Sequence, residues 1–142
     1  MMPEIRFLRA GEEAVLKRVS DGVFDDALRK VFVTELLDDS RHHLCVALQG
    51  DVVVGFASAV HYIHPDKPRE LWINEIGVAT AYRRRGIAQA LLSAVIEMGR
   101  SLGCSEAWVL TESRNAAARA LYRRAGGIEE TGIVQVSFPL NP

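Results

Sequence analysis

The densest chemistry in this 142-residue chain lies in Arg83-Arg84-Arg85-Gly86-Ile87-Ala88-Gln89, a basic turn that opens the most regular apolar stripe in the sequence. The first backbone N–H groups of a helix have no partner inside it, and the aligned peptide dipoles place partial positive charge there. A phosphate or pyrophosphate can accept from those donors. Gly86 and Ala88 carry little or no side chain, so an anion can come close to the main chain, and the arginines add bidentate cationic partners. Two further positions have chemistry at a telling distance. Asn115 and Tyr122 are seven residues apart, which on a helix is about 700° of rotation and roughly 10 Å of rise, so one extended ligand could touch both. Glu75 is a carboxylate inside an apolar strand, where partial burial would raise its pKa and suit it to accept a proton.

The elements that must hold these groups follow from periodicity. Ile87 to Leu102 is the clearest helix, with Ile87, Ala88, Leu91, Leu92, Val95, Met98 and Leu102 on one stripe. Asn115 to Ala125 is a second, with a capping Asn at its start and Gly126-Gly127 at its stop. Two more helices are expected over Gly11–Ser20 and Asp25–Leu37, separated by the turn Asp21-Gly22. Strands are expected at Ile5–Leu8, Leu44–Gln49, Val52–Tyr62, Leu71–Ala79, Ala107–Thr111 and Ile133–Leu140. Gly50-Asp51 joins two of them as a hairpin turn, and the two prolines of Pro65-Asp66-Lys67-Pro68 make a loop. The order predicts one α/β (α+β) domain over residues 1–142, a mixed and mostly antiparallel sheet flanked by helices.

Composition narrows the partners. Apolar residues are 49%, charged residues 25% and the formal net charge is -1, a balance of a soluble domain with none of the basic excess that nucleic-acid binding needs. The charge is nonetheless divided. Between Glu12 and Asp39 acids outnumber bases, whereas from Arg83 to Arg124 eight arginines face three glutamates. One half is suited to an anion and the other to a cation, although solvated helix faces give the same pattern. Cys45 and Cys104 sit in apolar surroundings and read as reduced thiols. No basic, apolar leader opens the chain and no apolar run is long enough to span a bilayer, so a cytoplasmic protein free of the membrane is expected. His61 and His64 end a strand and read as polar strand-end groups, His42-His43 has no convincing partner, and no spacing suggests a metal site.

Arg83-x-x-Gly86-x-Ala88 resembles the Q/R-x-x-G-x-G/A signature of the GNAT family of N-acetyltransferases. Asn74-Glu75-Ile76-Gly77-Val78 is similar to that family's cofactor strand, and Asn115 to Tyr122 to its N-x-x-A-x-x-L-Y helix. The resemblance runs from about Leu44 to Gly127, and from Pro68 to Ala88 it is most similar to aminoglycoside 3-N-acetyltransferases. It implies a GNAT-like sheet and acetyl-CoA as cosubstrate, with no metal. It also implies a cofactor site made of Ile76, Gly77, Val78, Arg83, Arg84, Arg85, Gly86, Ile87, Ala88, Gln89 and Asn115. Tyr122 would protonate the departing thiolate and Glu75 would take the acceptor's proton. The acid sits elsewhere in other branches: ribosomal-protein acetyltransferases use a fifth-strand Glu, where this sequence has Leu110. The acceptor implied is a primary amine of a small molecule, cationic and aminoglycoside-like. The alternatives are a protein or peptide acceptor, or a CoA-binding module without catalysis. A homodimer is the common assembly of such proteins.

Overall fold

A computed structural model describes residues 2–141. The alternating and apolar runs form five strands, β1 (Glu4–Phe7), β2 (His42–Gln49), β3 (Val52–Tyr62), β4 (Glu70–Val78) and β5 (Ala107–Val109), lying side by side in chain order. The first four pair antiparallel and β5 joins β4 in parallel. Gly50, at φ 62°, makes the two-residue turn between β2 and β3 that its position predicts.

Successive side chains of a strand point to opposite faces, so Gly55 and Phe56 serve different layers. On the Gly55 face lies α2 (Ile87–Ser101). A Cβ at Gly55 would stand 3.2 Å from both Ile87 Cγ2 and Leu91 Cδ1, and one at Gly99 only 2.9 Å from Leu71 Cδ2. Two missing methyl groups thus let the helix settle onto the sheet. Leu71, Ile87, Leu91 and Leu92 are fully buried at that contact, each worth roughly 1.5–3 kcal/mol of apolar transfer. On the Phe56 face, α1 (Lys30–Asp38) packs against β2 through Leu37. The last helix, α3 (Ala116–Arg124), follows β5. Among the described residues no helix is long and apolar enough to cross a membrane.

Three expectations are corrected. Gly11–Ser20 yields only a 3-10 turn over Glu13–Lys17, because the next residues run beside β3. There Val53 N donates to Arg18 O and Ser20 N donates to Val53 O, both at 2.9 Å. The following helix begins at Lys30 and not at Asp25. Val23 is buried and Phe24 sits with its ring 4.2 Å from that of Phe56, and an irregular path past Gly22 (φ 85°) brings both side chains to the sheet. Ile133–Leu140 forms no strand: its alternation suits one, but no neighbour supplies the pairing. Its apolar residues stand in solvent, Val134 at 79% and Leu140 at 92% exposure.

Candidate active site

The basic turn and the helix it opens are where the sequence puts them. A short 3-10 turn, Thr80–Tyr82, leads from β4 into Arg83, and α2 begins at Ile87 with Gly86 as N-cap and no side chain capping it. Gly86 is left-handed at φ 80°, and Arg84 is too, at φ 63°, the only non-glycine with positive φ among the described residues. An L-residue is held there only when its surroundings impose it, and such outliers gather at ligand sites. The first intrahelical bond is Ala90 N to Gly86 O, at 3.1 Å, which leaves the N–H groups of Ile87, Ala88 and Gln89 free to donate outward. Left-handed residues next to free N–H groups make an anion-binding concavity. The surrounding charge is unneutralised as well. Among the described residues no carboxylate pairs with Arg83, Arg84 or Arg85, whereas Arg100, Arg114, Arg119 and Arg123 each have one. Arg83 Nε donates to Val78 O at 3.3 Å, and the Arg85 guanidinium lies 5.0 Å from the Tyr82 ring centre, so both are held toward β4 and the turn.

β4 supplies the second component. Its parallel pairing with β5 ends at Ile73↔Val109, while β4 continues to Val78. The edge of Ile76-Gly77-Val78 on that side has no strand beside it among the described residues, so, apart from the Val78 carbonyl that accepts from Arg83, its outward peptide groups can pair with an extended amide chain. A bulge precedes this stretch: Ser58 opposes Glu75 and Ala59 opposes Ile73, leaving Asn74 unmatched. Gly77 marks a close backbone approach, as expected of a strand glycine, and the approaching atom belongs to the protein itself. A Cβ there would stand 2.2 Å from the Val23 carbonyl oxygen and 2.8 Å from Phe56 Cε1.

Glu75 points into a cleft between the sheet and α1. The cleft holds about 250 Å3 and continues into a second of about 260 Å3, the two sharing Phe24, Leu28, Val33, Leu36 and Glu75. Glu75 stays open to solvent, yet its carboxyl pKa is raised, first by desolvation against the cleft wall and then by the negative charges of Asp25 and Asp26. The acidic residues of the irregular segment thus converge on the one carboxylate in β4 that faces the cleft.

On α3, Asn115 accepts a hydrogen bond from Ala118 N at 3.0 Å and caps the helix, leaving its amide NH2 for a ligand. Tyr122 is half-buried against the core, and burial alone pushes its phenol pKa up. No hydrogen bond joins it to Glu75 or β4 among the described residues. The phenol therefore stays neutral and free to donate.

His43, His61 and His64 find partners within the protein. His43 Nε2 and His61 Nδ1 are 2.8 Å apart on half-stacked rings, and burial, with His61 beside it, lowers the His43 pKa to about 4. His64 Nε2 lies 2.8 Å from Glu70 Oε2, and Glu70 Oε1 in turn accepts from Tyr62. His43 thus has the partner that the sequence did not reveal: the two rings meet across the β2–β3 hairpin, and which side chains touch there depends on the register. The apolar wall of the cleft was missed because its residues come from separate segments. Phe24 and Leu28, Phe56, and Trp72 belong to three segments, and only the even spacing of Phe56, Ser58 and Val60 on β3 hints at a shared face.

The sequence matches the family model described as Acetyltransferase (GNAT) family over residues 12–127. An L-2,4-diaminobutyric acid acetyltransferase of Shouchella clausii is 30% identical over 107 residues, which cover 75% of this chain and 57% of that protein. The chain thus spans little more than half the length of that relative. Among solved structures, an aminoglycoside acetyltransferase from an uncultured soil metagenomic sample superposes with a TM-score of 0.83 at 19% identity, covering 97% of this chain and 96% of its own. The aminoglycoside N-acetyltransferase AAC(6')-Iy, in complex with CoA, gives a TM-score of 0.73 at 26% identity, covering 99% and 96%. The mixed sheet with its flanking helices is the GNAT-like fold shared with these neighbours.

Proposed function

The chain belongs to the acetyltransferase (GNAT) family, and from that premise we propose that it moves an acetyl group from acetyl-CoA to a primary amine of a small molecule, by direct attack with both substrates bound. The observation that carries this reading is the uncapped start of α2. There free N–H groups, left-handed Arg84 and Gly86, and three arginines without carboxylate partners suit the diphosphate of the cosubstrate. The open edge of Ile76-Gly77-Val78 leads from that site toward Glu75, at the length scale of an extended amide-containing arm. Asn115 contributes its free amide NH2.

The chemistry assigned to the side chains follows from their surroundings. An ammonium cannot attack a thioester until it loses a proton. Glu75, with its raised pKa, takes that proton directly or through one water while Asp25 and Asp26 attract the cation. The amine nitrogen then bonds to the acetyl carbon as the carbon–sulfur bond breaks. Tyr122, neutral because its pKa lies above the ordinary tyrosine value, gives a proton to the leaving sulfur. Oxidation chemistry plays no part in this reading, and the free thiols Cys45 and Cys104 support a reducing, cytoplasmic setting.

Thiol release from acetyl-CoA, followed with a panel of primary amines, tests the proposal. Tyr122→Phe is expected to lower kcat about a hundredfold, the lower bound for general-acid assistance, with acetyl-CoA affinity unchanged. Glu75→Gln should abolish the acid limb of the kcat/KM–pH profile. In the wild type that limb lies above the ordinary carboxylate range, because activity requires the ionised form and its pKa is raised. Equal rates for Tyr122→Phe and the wild type would remove the tyrosine from the mechanism.

A further inference from the structure

The cleft beside Glu75 is built largely of hydrocarbon. Leu16, Leu28, Val33, Leu36, Phe56 and Trp72 line it, and Trp72 is backed by Trp108, whose ring stacks on it at 5.7 Å and 17°. Carboxylates are confined to one place. Glu75 stands where the two lobes meet, and Asp25 and Asp26 border the second lobe beside Leu28 and Phe32. The principal lobe, about 250 Å3, falls just below the ~300–1,000 Å3 of ligand pockets, and only together with the second lobe of about 260 Å3 does the cleft enter the lower half of that range. A ligand carrying hydroxyls and ammonium groups on every side would have to bury several of them against leucine and phenylalanine without partners, which opposes binding. A ligand with charge at one end and a ring or chain at the other matches both the wall and the carboxylates.

We propose that the acceptor is a compact amphipathic amine: one ammonium held at Glu75, and an apolar body of aromatic size lodged between α1 and the Phe56–Trp72 face of the sheet. This rests on the acetyltransferase reading above and narrows it, away from the polyhydroxylated polycations that the aminoglycoside relatives' names describe. Leu28 is the specificity-determining residue that distinguishes the two acceptor classes. It borders both lobes, stands 40% exposed, and follows Val23 and Phe24, whose contacts with the sheet hold the irregular segment over the cleft.

The chain's two tryptophans are the stacked pair at the cleft wall, so intrinsic fluorescence reports occupancy without acetyl-CoA. The full chain is titrated with 2-phenylethylamine and with kanamycin, and the same two amines are compared in the thiol-release assay. The expected result is a saturable fluorescence change with phenylethylamine at concentrations about tenfold or more below those for kanamycin, and kcat/KM in the same order. Leu28→Asn should raise the phenylethylamine KM about tenfold, the size of a lost partial leucine contact, with the acetyl-CoA KM unmoved. Kanamycin bound or acetylated better than phenylethylamine overturns the assignment, as does a folded protein whose fluorescence ignores phenylethylamine. Failure of the underlying reading shows differently: the amine titration saturates, yet acetyl-CoA neither binds nor releases thiol.

Discussion

Two helices of this molecule begin within 30 residues of each other, and they begin in opposite ways. α3 is closed: Asn115 fills one donor at its N-terminus, Arg119 Nε and Nη2 lie 2.8 and 2.9 Å from the two carboxylate oxygens of Glu129, and Arg119 Nη1 reaches the Ser113 carbonyl. α2 is open: its N-cap is a glycine without a side chain, and among the described residues its first N–H groups have no intrahelical partner and Arg83, Arg84 and Arg85 before it have no carboxylate. The difference is written in residue type: α3 satisfies its own start, whereas α2 leaves its donors free and carries Arg84 in a left-handed conformation that costs roughly 1–2 kcal/mol.

That contrast is most sharply broken by Gly86→Asp, which puts a carboxylate where the diphosphate would sit. A Cβ at Gly86 meets nothing within 4 Å, but at φ 80° an L-residue is strained, so the variant should fold with a loss of about 1–2 kcal/mol. Acetyl-CoA affinity should fall about a hundredfold or more by calorimetry, with circular dichroism unchanged. Arg84→Gly is expected to separate stability from binding. It relieves the left-handed arginine, so thermal stability should hold or rise by up to about 1 kcal/mol. Loss of a charge-assisted partner should meanwhile weaken acetyl-CoA about tenfold. Asn115→Ala should do the reverse at smaller scale, costing about 1 kcal/mol in chemical denaturation through the lost cap. Its acetyl-CoA KM should move less than that of Arg84→Gly.

Where local signals decide structure, the sequence was sufficient. β3 begins at Val52 and ends at Tyr62 as its alternation predicts, α2 starts at Ile87, and Asn115 caps α3, because period, turn and cap all act within a few residues. The anion site is legible for that reason: its donors and arginines are contiguous. The segment from Asp21 to Arg29 was not, since its shape is set by distant partners. Val23 settles over Gly77 and Phe24 against Phe56, contacts that outweigh any helical preference of the stretch. Ile133–Leu140 fails in the other direction. It has the alternation of a strand, but a strand is a relation between two segments, and β5 is the last one in this sheet. The acceptor cleft lies between these cases. Glu75 could be singled out alone, whereas the leucines, phenylalanines and tryptophan around it become one surface only when six segments meet.

The central claim is that the open start of α2 grips the nucleotide diphosphate. Titration calorimetry with coenzyme A and, in parallel, with pantetheine, which shares the thiol arm and lacks the nucleotide with its phosphates, measures the nucleotide end, and the salt dependence separates its phosphates from its adenosine. Coenzyme A is expected to bind about a hundredfold tighter or more, with the gap narrowing as salt rises. Equal affinities for the two ligands would contradict it.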